Sequence, residues 1–489
     1  MKNCITAFSL LFSLSLFLLP AQAFTQEGYS IKGKVKGWHD TVCYLGNHYG
    51  DKQYVIDTTR IDKSGYFIFE GKEKLPGGIY IVVLPNKVYL EILIDKEQHF
   101  SLETDTAHLV ADLKFKNSED NNVFYSYRTF IDKKFKEKDP LSKRVTKIRN
   151  DSLASEDAKN DSIKIIQQKM IAIDKDVQTY QSDFIKKHPD SFLSAILKAQ
   201  TEIVVPEAPL LSNGKKDSLF PYLYYKNHYW DNISLADDRM LRTPIFHMKL
   251  KQFFEKVVLQ HPDSIIKEAD ILVEKTGGNK EMFKYLIWYI TLTYETSPIM
   301  GMDAVFVHQV ENYYMTGKAY WVDSIQIQKI IHRGLTLKPL LLGKPAPPII
   351  MQDSLDKNIA LYDVKAKYTV LVFWDPDCGH CQKVMPKLNE VYENSLKAKD
   401  IKVYSVDIED SAEKWKKFLI EKQIHLINTR DKYKQYPLRQ LYDIYSTPVI
   451  YLLDENKKIR AKRIDVEQLD GYISHLEKSK KIENEKRKK

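Results

Sequence analysis

The sequence predicts a multidomain chain: an antiparallel β-sandwich at the N-terminus, an all-α domain in the middle and an α/β domain at the C-terminus. Three observations carry this. Residues 29–105 hold short apolar or alternating runs separated by turn residues such as Asp62-Lys63-Ser64-Gly65 and Pro76-Gly77-Gly78. From about residue 117 the apolar period becomes helical, with Ile163, Ile166, Met170, Ile173, Val177, Tyr180 and Phe184 spaced three and four apart. Beyond the Gly- and Pro-containing stretch Leu342–Pro348, apolar strands alternate with amphipathic helices. The boundaries that follow are 24–115, 116–338 and 339–478, with a leader over 1–23 and a basic disordered tail over 479–489.

Met1-Lys2-Asn3, the apolar run Ile5 to Leu19 and then Ala21-Gln22-Ala23 have the charged, apolar and small-residue order of a secretory signal. That run is too short to span a bilayer as a helix. Cleavage after Ala23 and export to the periplasm are expected, the alternative being an uncleaved anchor that keeps the chain at the membrane. Cys4 stands ahead of the apolar run and is no lipid-attachment site.

A hydrophobic content of 43% over 489 residues is that of globular domains. The net charge of +9 invites a nucleic-acid reading, but five of those charges come from Lys478–Lys489 alone. Such a run reads as a solvated end, and no basic motif with interleaved aromatics is present, so nucleic acid is not an expected partner.

In the first domain, Tyr66-Phe67-Ile68-Phe69 and Ile79 to Leu84 read as strands. Val88, Leu90, Ile92 and Ile94 alternate with Tyr89 and Glu91, which gives a sheet one buried face. Cys43 lies within Thr41–Leu45 and reads as a buried core thiol, or alternatively as a resolving or sensing one. The second domain should open on a helical hairpin, with Val123, Tyr127, Phe130 and Ile131 facing the stripe above; a dimeric coiled coil is the alternative. His188-Pro189-Asp190-Ser191 and His261-Pro262-Asp263-Ser264 read as helix starts. The aromatic stretch Tyr222–Asp231, followed by Arg239 and Arg242, reads as a packed junction of helices, or as a ligand groove or partner surface.

The chemistry lies in the third domain. Val370-Leu371-Val372-Phe373-Trp374, bounded by Lys367 and Asp375, reads as a strand buried on both faces. Cys378-Gly379-His380-Cys381 follows, with Val384, Met385 and Leu388 at helical spacing. Cys378 therefore falls at a helix start, where free N–H groups and the helix dipole favour a thiolate. A protonated His380 would act in the same sense. Cys381, nearly a turn later, can close a disulfide with it, so the pair suits dithiol–disulfide exchange. A pair of this spacing is also half a zinc site or a structural disulfide, but no further ligands stand at metal spacing nearby.

This stretch resembles the active site of the thioredoxin superfamily, in particular its envelope reductases of the cytochrome-maturation type. The resemblance covers about residues 340–480. It rests on the strand ending in Trp374, the Cys378–Cys381 motif, Pro386 in the helix and Thr447-Pro448 before an apolar strand. It implies a C-terminal thioredoxin fold and a periplasmic thiol–disulfide oxidoreductase that uses no cofactor. Cys378 and Cys381 would be catalytic, and Trp374, Asp377, Gly379, His380, Thr447 and Pro448 would tune the thiols or dock substrate. Thr447-Pro448 would be cis and face the disulfide. Envelope proteins bearing thiols or disulfides would be the substrates, and a membrane thiol reductase the electron donor. The direction of electron flow stays open, because a histidine between the cysteines resembles oxidases and isomerases. The competing reading is an envelope binding or redox-sensing protein in which this domain is a switch. Two departures stand out: Val372 replaces the buried aspartate of thioredoxin proper, and Asp377 stands directly before the first cysteine. The first two domains resemble β and helical domains of unknown function found ahead of such envelope domains, with no catalytic residues to carry over.

Overall fold

Strands form where apolar residues alternate between turn signals. The computed structural model of the chain describes residues 28–151 and 155–487, so the expected leader and Cys4 lie outside the described residues. Eight strands come first: β1 (Tyr29–Lys36), β2 (Thr41–Tyr49), β3 (Lys52–Ile61), β4 (Tyr66–Gly71), β5 (Gly78–Val83), β6 (Tyr89–Ile94), β7 (His99–Asp105) and β8 (Lys114–Lys116). They make two four-stranded sheets, in the orders β4-β1-β7-β8 and β3-β2-β5-β6. Pairing is antiparallel except between β1 and β7, which run parallel.

The described residues divide into two units of dense internal contact: those up to 202 with 239–248, and 203–238 with those from 249 on. In the first unit the sheets join α1 (Glu119–Arg149), α2 (Glu156–Lys187) and α3 (Phe192–Gln200). The start of α1 is fastened to β6 by a polar side chain that pairs as a strand would. Buried Asn121 accepts the Leu93 N–H and donates to the Leu93 carbonyl, both at 2.8 Å. Tyr125 then donates to the Glu91 carbonyl at 2.8 Å. The expected hairpin forms within the chain: Tyr180 stacks on Phe130 at 4.3 Å, and Gln181 donates to the Tyr127 hydroxyl. Further out the stripe is only half covered, and Ile166 is the buried residue of α2.

Helices continue with α4 (Phe220–His228), α5 (Pro244–Gln252), α6 (Pro262–Glu274), α7 (Lys280–Glu295), α8 (Asp303–Gln309) and α9 (Ser324–Leu337). Pro262 opens α6, and Ser191 caps α3 by accepting the Ser194 N–H, as the two His-Pro-Asp-Ser motifs predict. The aromatic stretch is a packed junction at its end, where Tyr229 and Trp230 are buried against Phe253 at 5.0 and 5.4 Å. Helix α9 lies close on the segment before it: a Cβ at Gly334 would meet the Val310 side chain at 2.7 Å, so only glycine fits.

The last region alternates as expected, with three short strands the sequence did not announce. Its elements are β9 (Ile350–Gln352), β10 (Asn358–Ala360), β11 (Tyr368–Trp374), α10 (Cys381–Val391), β12 (Ile401–Asp407), α11 (Ala412–Glu421), β13 (Ile427–Arg430), α12 (Leu438–Leu441), β14 (Val449–Asp454), β15 (Ile459–Lys462) and α13 (Val466–Arg487). They build a seven-stranded sheet in the order β10-β9-β13-β12-β11-β14-β15. β11 pairs parallel with β12 and antiparallel with β14, and all of its residues are buried. Val370, Val372 and Trp374 face Cys381, Met385 and Leu388 of α10, while Leu371 and Phe373 face Tyr442 and Tyr451 on the other side. The Gly-Pro stretch is laid against β15: the Gly343 N–H donates to the Ile459 carbonyl, and the Ile459 N–H to the Lys344 carbonyl. Lys462 of β15 ion-pairs with Asp303 of α8. Helix α13 runs on to Arg487, through the segment expected to be disordered, with Lys480 over the Tyr368 ring. No helix among the described residues is long and apolar enough to cross a membrane.

Candidate functional site

The two motif cysteines sit where β11 ends and α10 begins, and their surroundings differ. Helix α10 starts at Cys381, but the Cys378 carbonyl already accepts the Gln382 N–H at 3.0 Å, so Cys378 occupies the entry to the first turn. The N–H groups freed by that entry turn to the sulfur, and the Cys381 N–H reaches Cys378 Sγ at 3.3 Å. Burial works against a Cys378 thiolate. The Thr447 hydroxyl, the Cys381 thiol and the His380 and Cys381 N–H groups outweigh it, and the Cys378 pKa falls below the ordinary thiol value. In its protonated form the thiol donates to the Thr447 carbonyl at 3.4 Å. Cys381 is fully buried, and burial first, then its neighbour Cys378, push it up to about 12. Both thiols are free. One cysteine is thus half-exposed and inclined to ionise, and the other is sealed beneath it.

Around them, Thr447 and Pro448 approach across a cis peptide bond, and the Thr447 carbonyl faces Cys378. His380 is exposed beside α10 and presents its N–H to the sulfur. Asp377 forms an ion pair with Lys414 at 2.6 Å, so the carboxylate before the first cysteine has a counter-charge of its own. Gly379 meets no atom that a Cβ would touch, so close packing does not explain its glycine. Trp374 is fully buried, donating to Ser405 Oγ at 2.7 Å and lying 5.0 Å from the Phe418 ring. It supports the loop from below and lines no surface. A groove of about 490 Å³ runs from His380 and Val384 past Ser446 and Pro448 to Arg463 and Glu467.

One ionisable residue beside the site was not singled out from sequence. Asp407 ends β12 opposite Trp374, is 1% exposed, and has Oδ1 on the Glu409 N–H at 3.1 Å. Its Oδ2 has no partner among the described residues. Burial raises its pKa to about 7; Asp375 and the Glu409 carboxylate add to that, while the Glu409 N–H and Arg430 oppose it. The signal was present as an aspartate closing an apolar run next to the motif strand. Val372, at thioredoxin's aspartate position, is buried among apolar neighbours. Among the described residues no group of three His, Cys, Asp or Glu side chains is placed to hold a metal ion.

The model of the AhpC/TSA family matches residues 342–462. Two domains of unknown function, DUF4369 and DUF5106, match residues 29–124 and 157–335. The thiol-disulfide oxidoreductase ResA of Bacillus cereus is 30% identical over 138 residues, which is 28% of this chain and 78% of that protein. ResA of Bacillus subtilis is 25% identical over 117 residues, 24% of this chain and 64% of that protein. Among solved structures, a domain of a possible thiol-disulfide isomerase from Cytophaga hutchinsonii is 48% identical, covering 29% of this chain and 98% of that one with a TM-score of 0.29. A thioredoxin-like protein from Bacteroides caccae is 21% identical, covering 56% of this chain and 99% of that one with a TM-score of 0.41.

Proposed function

The chain belongs to the ResA family of thioredoxin-like thiol–disulfide oxidoreductases, and from that premise we propose that it exchanges disulfides with envelope proteins in the periplasm through Cys378 and Cys381. Cys378, as thiolate, attacks one sulfur of a substrate disulfide and expels the other as a thiolate, leaving a mixed disulfide. Cys381 loses its proton and attacks Cys378 Sγ, releasing the second substrate thiol and closing the Cys378–Cys381 disulfide. Two electrons pass to the substrate, and a membrane thiol reductase returns them. The substrate segment lies in the groove along Thr447 and Pro448, with His380 and Asp377 at its rim.

The observation that carries this reading is the asymmetry of the pair: a half-exposed thiol facing N–H and hydroxyl donors, above a buried one whose N–H lies 3.3 Å from the first sulfur. The leader over 1–23 directs export. Residues 24–115, as a β-sandwich, and 116–338, as a helical domain, hold the client or the partner, with the redox domain over 339–478. Insulin reduction tests the activity, and generic turnover absent at pH 7 in the reduced protein would reject it in favour of a sensing switch. The reduction potential of the pair then sets direction: about −270 mV marks a reductase, and about −120 to −180 mV an oxidase or isomerase.

A further inference from the structure

The loop carrying Thr447 is held from outside the redox sheet. Residues 444–448 lie outside helix and strand, so contacts to side chains around them decide where the Thr447 carbonyl and hydroxyl stand. The anchor is Asp443, 5% exposed and in the left-handed region at φ 52°. Two guanidinium groups converge on its carboxylate. Arg463, just past β15, donates from Nη2 to Oδ2 at 2.7 Å and to the Asp443 carbonyl at 3.1 Å. Arg333, on α9 of the helical region, adds a fork: Nη1 donates to Oδ1 and Nη2 to Oδ2, the latter at 3.2 Å. The same Nη1 reaches the Tyr445 hydroxyl at 3.2 Å, and the guanidinium lies 5.0 Å over the Tyr445 ring. Tyr445 in turn lines the groove that holds His380, Ser446 and Pro448. The close approach that Gly334 permits fixes α9, and with it the neighbouring arginine.

We propose that Arg333 is a positioning residue of the redox centre, clamping Asp443 and Tyr445 so that Thr447 stays on Cys378 and the middle helices become part of the active-site architecture. The inference rests on the reading of Cys378 as nucleophile. Removing one guanidinium leaves the buried Asp443 carboxylate with half its partners and frees Tyr445 from its lid. The loop then relaxes outward, and the sulfur loses the Thr447 hydroxyl among the donors that favour its ionised form. A second ion pair from the helical region to this sheet, Asp303 with Lys462, involves no residue of the loop, so it serves as the control.

The experiment uses the reduced full-length protein and follows iodoacetamide alkylation of each cysteine against pH by peptide mass spectrometry. In Arg333→Ala the alkylation pKa of Cys378 should rise by about half to one unit, slowing the reaction at pH 7 by about threefold to tenfold. Arg333→Lys should fall between that variant and wild type, because an ammonium keeps the charge but loses the fork. It also reads the effect should the alanine variant not fold. Asp303→Asn should lower the melting temperature and leave the pH profile where it was. Profiles of both Arg333 variants superposing on wild type would overturn the proposal, as would an equal shift in Asp303→Asn, which would make it a matter of general docking. Should Cys378 not be the fast thiol even in wild type, the fault lies with the nucleophile assignment.

Discussion

Cys43 and Cys378 each sit against a sheet, and the two places show what makes a thiol reactive in this chain. Cys43 lies inside β2, opposite Thr59 of β3, and is fully buried. Burial, then the Asp57 charge, push its thiol up to about 12. Inside a strand the backbone N–H groups are committed to the ladder, and none turns to a side-chain sulfur. At the end of β11 the chain leaves one ladder and has not yet entered the next, so the N–H groups of His380 and Cys381 are free to face Cys378. The difference is made by uncommitted donors rather than by position on a sheet.

The largest effects break this contrast outright. Cys378→Ser should reduce insulin turnover to background, and Cys381→Ser should accumulate mixed disulfides visible on non-reducing gels. Turnover surviving in Cys378→Ser would remove the assignment. Next, native protein treated with iodoacetamide at pH 7 should carry label on Cys378, with Cys43 and Cys381 slower by about 100-fold or more. Comparable labelling of Cys43 would show that its burial does not hold in solution.

Asp407 extends the comparison to a carboxylate. The folded protein keeps its proton up to about pH 7, whereas the unfolded chain releases it near the ordinary aspartate value. Below about pH 4 both states are protonated and the group is neutral to stability. As pH rises from about 4 to 7 this group takes away about 2–4 kcal/mol, with nothing further lost above. Asp407→Asn should therefore be more stable than wild type at pH 8 in urea unfolding and lose that advantage at pH 4. An advantage that does not change with pH would show that Asp407 ionises in the fold at the ordinary aspartate value. A smaller change is expected of Cys43→Ser, which puts a hydroxyl in a fully buried position and should cost about 1–2 kcal/mol in the same measurement while turnover stays intact. The smallest belong to the rim. His380→Asn and Asp377→Asn should each move the Cys378 pKa by about half a unit or less, because both side chains face solvent and Asp377 is matched by Lys414. A full unit in His380→Asn, read from thiolate absorbance, would transfer the credit from backbone donors to side-chain charge.

Much of this could be read from the chain before any coordinates. Val370–Trp374 is apolar without alternation, and both its faces are covered; Cys378 and Cys381 stand at the helix entry that their spacing implied. The hairpin was legible because Phe130 and Tyr180 lie on stripes of one period. What stayed hidden is short or distant. β9, β10 and β13 have three or four residues each, too few for a period to show. Arg333 and Asp443 are 110 residues apart, and neither sits in a motif. Asp407 hides because an aspartate after an apolar run reads as a turn residue, although its strand continues to that position.

The stretch Leu342–Pro348 has the composition of a tether, yet it is stitched to the outer strand of the redox sheet. Its N–H and C=O groups pair with Ile459, the Ala346 N–H donates to Lys457, and Pro345 bridges Lys458. It therefore acts as a hem. A protease that favours extended, unpaired chain should find few places to cut between the helices and the redox region, despite three prolines and a glycine that advertise a hinge. A redox fragment starting at Pro347 would come away with a raw selvage along β15, its hydrogen-bonding groups open to any passing strand, including the same edge of another copy. Starting at Leu341 instead would keep the hem and leave that border finished.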